Sequence, residues 1–371
     1  MTNAGDFLIK KINEFLIIIA KFFEPEKAHF FALILLKYNF FSKFFSKKKF
    51  EFLNTSFFNV KIKNPIGVAA GFDKNGEAIR GIFNLGVGIV EIGAVTPKPQ
   101  YGNERPRIFR LNEDNALINR LGFNNQGMIK IKKNIKKYNH GVLGINVGAN
   151  KDSNDKVSDF IEVISYFSKE VDYFTINISS PNTHMLRSLQ KKENLDELLK
   201  RINSNNEEKK INKPILIKIS PDLDDEELKI IVELCQIHKI AGIVATNTTV
   251  NRDFNFISKN FLKSGGLSGK PLFQKSNIIL AKLYFLSKGT IPLVGVGGIF
   301  NGQDAYKKIC LGATTVQLYT ALTYNGPILL NKILDEMNTL VKKDGFSNIS
   351  EAVGSKNFQF LMDETDRSIF G

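Results

Sequence analysis

From about residue 65 onward, short apolar runs rich in Val and Ile alternate with longer segments that read as amphipathic helices, the period of repeated βα units. The runs are 65-PIGVAA-70, 89-IVEIG-93, 141-GVLGINV-147, 173-YFTINIS-179, 215-ILIKIS-220, 242-GIVATN-247, 292-PLVGVG-297 and 315-TVQLYT-320. Near-continuous apolar strands bounded by Gly and Pro suit a parallel sheet covered on both faces. Eight of them over about 255 residues predict an α/β fold closed as a (β/α)8 TIM barrel. A doubly wound sheet is the alternative architecture, and strand count and even spacing favour closure.

The first fifty residues follow a different period. Two helix-like stretches are predicted, roughly 6–23 and 26–38, the second entered through Glu24-Pro25-Glu26, where Pro suits a first helical turn. Ile12, Phe15, Leu16, Ile19, Phe22 and Phe23 recur at spacings of three and four, as do Phe30, Phe31, Ile34, Leu35 and Tyr38. Such faces usually pack on their own core. These two precede a complete barrel and are not needed to close it, so a membrane surface or an apolar ligand is an equal destination. The basic 43-KFFSKKK-49 that follows suits anionic lipid headgroups. At the other end, 343-KDGFSNISEAVG-354 reads as a short helical element, and the chain carries no clear pattern after 356. The expected organisation is a helical extension over 1–50, a barrel over 51–356 and a tail over 357–371.

With 371 residues, 43% of them hydrophobic, the chain can bury a large core, either one barrel-sized domain or two ordinary ones. The formal charge of +14 admits an anionic partner. The stronger reading of that charge is Lys spread over solvated helical faces, as in 132-KKNIKK-137. The apolar run 15-FLIIIA-20 is closed by Lys21, short of the roughly 18 residues of a spanning helix. No cleaved signal is expected, because the first ten residues carry Asp6 and only one Lys and no small-residue cleavage site follows the run. Cys235 and Cys310 lie far apart in helical segments and read as core thiols. His29, His140, His184 and His238 form no ligand pattern, and no metal site is expected.

In a barrel of this kind, active sites lie at the C-terminal ends of the strands. The polar residues there form a coherent set: Asp73 and Lys74 after the first run, then Thr96, Asn146, Asn177, Ser180, Asn182, Lys218, Thr246, Asn247 and Thr248. Asparagines in apolar strands must find hydrogen-bond partners, and several converging on one mouth suggest a flat ligand with fixed donors and acceptors. Lys218, flanked by Ile on both sides, needs an anion or a lowered pKa; its strand offers no carboxylate before Asp222. Two glycine stretches, 292-PLVGVGGIFNG-302 and the loop 264-SGGLSG-269, complete the pattern. Turns after the last two strands commonly hold a phosphate, which singles out Gly297, Gly298, Tyr319 and Thr320. Ser180 has no nucleophile-elbow sequence around it, and nearby His184 no orienting carboxylate. The residues alone therefore reach a barrel that binds a planar, phosphorylated and anionic ligand.

The blocks 64-NPIGVAAGFDKNGE-77, 93-GAVTPKPQYGNERPRIFRL-111, 118-INRLGFNNQG-127, 177-NISSPNT-183, 244-VATNTT-249, 266-GLSGKPL-272 and 293-LVGVGGI-299 closely resemble the dihydroorotate dehydrogenases, over about residues 20 to 354. Ser180, where one branch of the family has Cys, and the extra N-terminal helices, including 24-EPEKAHFF-31, resemble the membrane-associated, quinone-dependent class 2 branch. The resemblance implies FMN, one per chain, in the barrel mouth, accepting a hydride from dihydroorotate while Ser180 removes a proton, giving orotate for pyrimidine synthesis. Matching positions imply that Lys74, Asn119, Arg120, Leu121, Gly122, Phe123, Asn177, Asn182, Asn247 and Thr248 hold the substrate. They place Ala70, Ala94, Asn146, Asn177, Lys218, Thr246, Gly269, Gly298, Tyr319 and Thr320 against FMN. Thr183 and Phe123 would flank the proton's exit, and His29, Arg110 and Tyr319 would meet the quinone, ubiquinone or menaquinone, in a tunnel made by the helices. The resemblance further implies a monomer, no nucleic-acid partner, and peripheral association with a membrane, at the cytoplasmic face of a bacterial inner membrane.

The sequence departs from that family at Ala94, where a Ser or Thr hydroxyl is usual, and at His184-Met185, where the substrate-covering loop usually reads Pro-Gly. Two rivals stand beside this reading. One is another flavin barrel, from the cytosolic fumarate- or NAD-linked branch or a pyrimidine reductase; the other is a basic membrane- or nucleic-acid-binding protein without catalysis.

Overall fold

The computed structural model describes residues 3–40, 49–135, 141–183 and 186–370. Two helices lead the chain, α1 (Asn3–Phe22) and α2 (Pro25–Lys37), followed by a hairpin of β1 (Thr55–Phe57) and β2 (Val60–Ile62). The repeat begins with β3 (Ile66–Val68) and α3 (Ile79–Phe83). After β4 (Ile89–Val95) an antiparallel pair intervenes, β5 (Ile108–Leu111) and β6 (Ala116–Asn119), before α4 (Gly127–Asn134). Three regular units come next: β7 (Val142–Val147) with α5 (Lys156–Phe167), β8 (Tyr173–Asn177) with α6 (Lys192–Glu208), and β9 (Ile215–Ile219) with α7 (Asp225–Ile237). Then β10 (Gly242–Ala245) leads through β11 (Gly266–Gly269) to α8 (Leu272–Leu286), and β12 (Leu293–Val296) to α9 (Gly302–Cys310). Finally β13 (Ala313–Leu318) runs into α10 (Thr320–Asn325) and α11 (Ile328–Lys343), and α12 (Asn357–Phe370) ends the described chain.

All eight predicted runs become barrel strands. β3, β4, β7, β8, β9, β10, β12 and β13 pair parallel in that order, and β13 closes on β3. The pleat divides each strand's side chains between two surroundings. In β9, Ile215, Ile217 and Ile219 join the large core under the helices, while Leu216 belongs to the smaller core inside the barrel. At the N-terminal end, Phe57 of the hairpin meets Tyr173 edge-on at 5.5 Å and packs with Ile62, Val142 and Leu216, so apolar residues plug the barrel floor. Cys235 and Cys310 are free and buried, as expected.

Three features differ from the sequence expectation. Residues 266–269, expected as a flexible loop, form β11, which pairs with β6 and with it builds a three-stranded antiparallel sheet. Their Gly-rich composition hid a strand whose Gly269, at φ +101, has no room for a Cβ beside the Asn115 carbonyl. Beyond 356 the chain forms α12, anchored where buried Asn357 donates to the Ala281 and Leu311 carbonyls. Thr320 begins α10 rather than ending a strand.

The leading helices pack on the barrel and also keep an apolar face outward. Asn13 donates to the Asn325 carbonyl, Arg110 donates to the carbonyls of Phe23 and Ala20 at the end of α1, and Arg107 pairs with Glu26 of α2. Meanwhile Phe15, Ile18, Phe22, Phe30 and Phe31 face outward, Phe22 at 85% exposure. No helix among the described residues is long and apolar enough to cross a membrane. Residues 43–48 of the basic stretch, and the His184-Met185 departure, lie outside the described residues.

Candidate active site

The site is assembled by the pleat. On the interior face of the upper barrel the residues turn polar: Asn146 on β7, Asn177 on β8, Lys218 on β9 and Gln317 on β13 line one pocket at the strand ends. Ala70, Lys74, Ala94, Ser180 and Asn182 join them there, as do Thr246, Asn247, Thr248, Gly298, Tyr319 and Thr320. The antiparallel sheet roofs one side and adds Asn119 and Gly269, with Leu121, Gly122 and Phe123 from the following loop. Nearly every residue expected at substrate or cofactor is thus brought together.

Arg120 is the exception. Its guanidinium lies over the Phe109 ring and donates to Ser264 and the Pro106 carbonyl, so it braces the roof instead of lining the pocket. Two further polar residues from the strand ends are structural. Asp73 accepts from the N–H groups of Glu77 and Ala78 and so fixes the turn that carries Lys74; burial pushes its carboxyl up to about 6 against those bonds. Thr96 is fully buried in bonds to Lys98 and Asn125.

The asparagines bond to each other as well as facing the pocket. Asn146 accepts from Asn177 at 3.0 Å, and Asn177 accepts from Asn247 at 3.2 Å. Both lysines are buried. Burial lowers Lys74 to about 8, Glu26 opposing, and lowers Lys218, opposed by Glu91. Lys218 has no hydrogen bond or ion pair among the described residues; Asp222, the carboxylate nearest in sequence, pairs with Arg187 and Lys275. Two desolvated cations without carboxylate contacts make the mouth an anion site. Ser180 is buried between them in sequence order, its Oγ accepting from the Asn182 N–H at 3.3 Å, and the buried Thr183 hydroxyl has no partner among the described residues.

The pocket suits a flat, phosphorylated cofactor. Gln317 Oε1 is a buried acceptor without a partner on an otherwise bonded side chain, and the Lys218 ammonium is open. Gly298, at φ +72, leaves no space for a Cβ against the backbone of Phe273, so its turn presents bare backbone to the pocket.

A second cavity of about 390 Å³ lies between the leading helices and the barrel. Its walls are apolar, from Leu16, Ala20, Leu35, Val68 and Leu117 among others, and its polar points include His29, Arg110 and Tyr319. His29 Nε2–H donates to the Phe72 carbonyl at 2.7 Å, and burial with Lys74 nearby drops its pKa to about 4, leaving a neutral ring. Tyr319 lines both cavities.

Two contributors were missed from sequence. Glu91 is a buried carboxylate in the barrel interior, visible only as one acid in 89-IVEIG-93. Arg187 donates to the Ser179 and Thr248 carbonyls and to Asp222, tying together the loops that bear Ser180 and Thr248; nothing in its sequence surroundings marks this.

A closed parallel barrel with a polar, cationic mouth at its strand ends and an adjoining apolar cavity defines a TIM-barrel enzyme with two neighbouring cavities. The family model for dihydroorotate dehydrogenase matches residues 52–341. Dihydroorotate dehydrogenase (quinone) of Parvibaculum lavamentivorans is 46% identical over 300 residues, 80% of this chain and 85% of that protein. The mitochondrial dihydroorotate dehydrogenase (quinone) of Oryza sativa is 41% identical over 329 residues, 80% of this chain and 70% of that one. A crystal structure of the Eimeria tenella enzyme in complex with ferulenol superposes with a TM-score of 0.85 at 34% identity, covering 90% and 95% of the two chains. The chain belongs to the dihydroorotate dehydrogenase family, in its quinone-dependent branch.

Proposed function

We propose that this chain oxidises dihydroorotate to orotate in pyrimidine biosynthesis, with FMN in the barrel mouth and a membrane quinone as the final acceptor. The observation that carries the reading is the wall shared by the two cavities. Tyr319 faces the polar mouth on one side and the apolar helical cavity on the other, so an electron donor and an apolar acceptor are served through one thin partition.

FMN, when bound, supplies the hydride acceptor. The residues around it divide the remaining work. Lys74 holds the substrate carboxylate, and Asn119, Asn177, Asn182, Asn247 and Thr248 fix its ring by hydrogen bonds, which sets the reacting carbon within reach of Ser180. The Ser180 hydroxyl removes the proton and passes its own toward Thr183, with Phe123 screening the route, a role supported by the Thr183 Oγ1 being buried without a partner among the described residues. Lys218 stabilises negative charge developing on the cofactor. Leu121, Gly122 and Ala94 shape the pocket walls, while Ala70, Asn146, Thr246, Gly269, Gly298 and Thr320 seat the cofactor. His29 and Arg110 meet the quinone head beside Tyr319. The outward aromatics of α1 and α2 rest on the membrane surface from which the quinone enters. In this division residues 1–50 form the quinone-access extension, 51–356 the catalytic barrel and 357–371 its closing tail.

The test is an anaerobic visible spectrum of the purified protein before and after dihydroorotate, then after a ubiquinone analogue. A yellow protein that bleaches with substrate and recovers with quinone is expected. A yellow protein indifferent to dihydroorotate refutes the substrate; a colourless one that FMN cannot reconstitute refutes the cofactor.

A further inference from the structure

Below the asparagines lies a carboxylate that the proposed chemistry does not use. Glu91 sits on β4, fully buried, with four donors from three strands around it. Its Oε1 accepts from Asn146 Nδ2 at 2.9 Å, and its Oε2 accepts from Tyr173 Oη at 2.9 Å, Thr175 Oγ1 at 3.0 Å and Gln317 Nε2 at 3.0 Å. Each of these four contacts brings a group able to donate against a carboxylate oxygen, so Glu91 serves here as the acceptor.

This has a consequence for every amide above it. An asparagine side chain donates from one side and accepts on the other, and either orientation fits the same space. Glu91 offers lone pairs alone, so Asn146 turns its amino group down and its oxygen up. That oxygen accepts from Asn177; the Asn177 oxygen accepts from Asn247 and from Ser179 Oγ at 3.3 Å; the Asn247 oxygen accepts from the Thr248 N–H at 2.8 Å. All the amide–amide bonds therefore run in one direction, from the loop after β10 across β8 and β7 to the carboxylate. With the row reversed, the remaining hydrogens and lone pairs facing the mouth would trade places.

We infer that Glu91 is a positioning residue: as the fixed acceptor at one end of the row Asn247–Asn177–Asn146, it sets which donors and acceptors the mouth presents to substrate and flavin. The inference rests on the proposed reading of the mouth as the dihydroorotate site.

The test uses the flavin-bearing protein, with orotate affinity read from the shift it causes in the visible spectrum. Glu91→Gln keeps the size but can donate or accept, and it is expected to weaken orotate binding at least tenfold. Glu91→Asp remains acceptor-only and is expected to retain more of the affinity. Thr175→Val removes one donor to Glu91 but leaves the row intact, and its affinity is expected within twofold of the unaltered protein. Equal losses in Glu91→Gln and Thr175→Val would reduce Glu91 to a packing role and overturn the inference, as would unchanged binding in Glu91→Gln. Should Glu91→Gln not fold, neutron diffraction of the unaltered protein decides: deuterons of Asn146 pointing at Glu91 support the inference, and its oxygen pointing there overturns it. If the unaltered protein neither binds orotate nor bleaches with dihydroorotate, the proposed function fails, while the neutron result still judges the row.

Discussion

The docking of α2 on the barrel can be perturbed at one ion pair. Glu26 of α2 accepts from Arg107 at both oxygens, Nη2 to Oε1 at 2.5 Å and Nε to Oε2 at 3.1 Å, and Arg107 is 5% exposed. Glu26→Gln leaves a buried guanidinium without its counter-charge. Removal of one partner of a buried pair costs about 3–5 kcal/mol. Here the loss is smaller, because Arg107 keeps its bonds to the Tyr101 and Asn103 carbonyls and Arg105 reaches Glu26 from solvent. A cost of about 2 kcal/mol is consistent with this geometry, enough to raise the undocked population of α2 about thirtyfold. Hydrogen exchange of the α2 amides should speed by that factor, while amides of β7 and β8 keep theirs. Substrate should still bleach the flavin at its normal rate, and turnover with a long-chain quinone should fall. Protonation of Glu26 does the same reversibly. Burial raises its carboxyl, but Arg107 and then Arg105 outweigh this and hold it below the ordinary 4.5. The stabilisation is therefore complete above pH 4.5 and is lost as the pH falls through the lower folded value. Unchanged α2 exchange in Glu26→Gln would refute the claim that this pair docks the helix.

Three further outcomes are expected. Ser180→Ala should keep FMN and bind orotate, yet be reduced by dihydroorotate at least about a hundredfold more slowly, the usual scale of general-base loss; near-normal reduction refutes its role. Deletion of residues 1–40 should spare flavin reduction and abolish rapid turnover with long-chain quinones, and intact quinone turnover would refute the tunnel. Burial holds Lys74 at about 8, so its charge is present below that pH and lost above it. Orotate affinity should accordingly fall as the pH rises past 8, and Lys74→Met should be weak and flat over the same range; a flat profile in the unaltered protein removes Lys74 from the carboxylate site.

Much of the barrel was legible because its strands are buried on both faces and so stand out as apolar runs against amphipathic helices. The antiparallel roof was not. β5 carries Ile, Phe, Arg and Leu, and β11 is half glycine, and neither shows the alternation of a half-buried strand. β5 pairs locally with β6, but β11 joins β6 across some 150 positions, with Gly266 opposite Asn119, a relation that no local pattern records. α12 escaped for a related reason: its buried anchor, Asn357, is a polar residue whose partners lie on α8 and just after α9, and Glu364 likewise meets Gln274 of α8.

At the site, sequence reasoning found the asparagines from the right premise, that buried amides need partners, but assigned all of those partners to a ligand. The pleat supplies the rest of the account. Glu91, Asn146, Thr175, Asn177 and Gln317 come from four strands, and parallel register brings them to adjoining heights in the barrel, Gly93 beside Asn146 and Asn177 beside Lys218. The same register sets Glu91 and Lys218 in one interior without a direct contact, so the carboxylate raises the lysine's proton affinity while its ammonium stays free. Burial outweighs that opposition and lowers the lysine's pKa, and an anion bound in the mouth would favour its charged form. The barrel floor is apolar and the mouth polar, and in the layer between them the Glu91 acceptor meets the amide row from below.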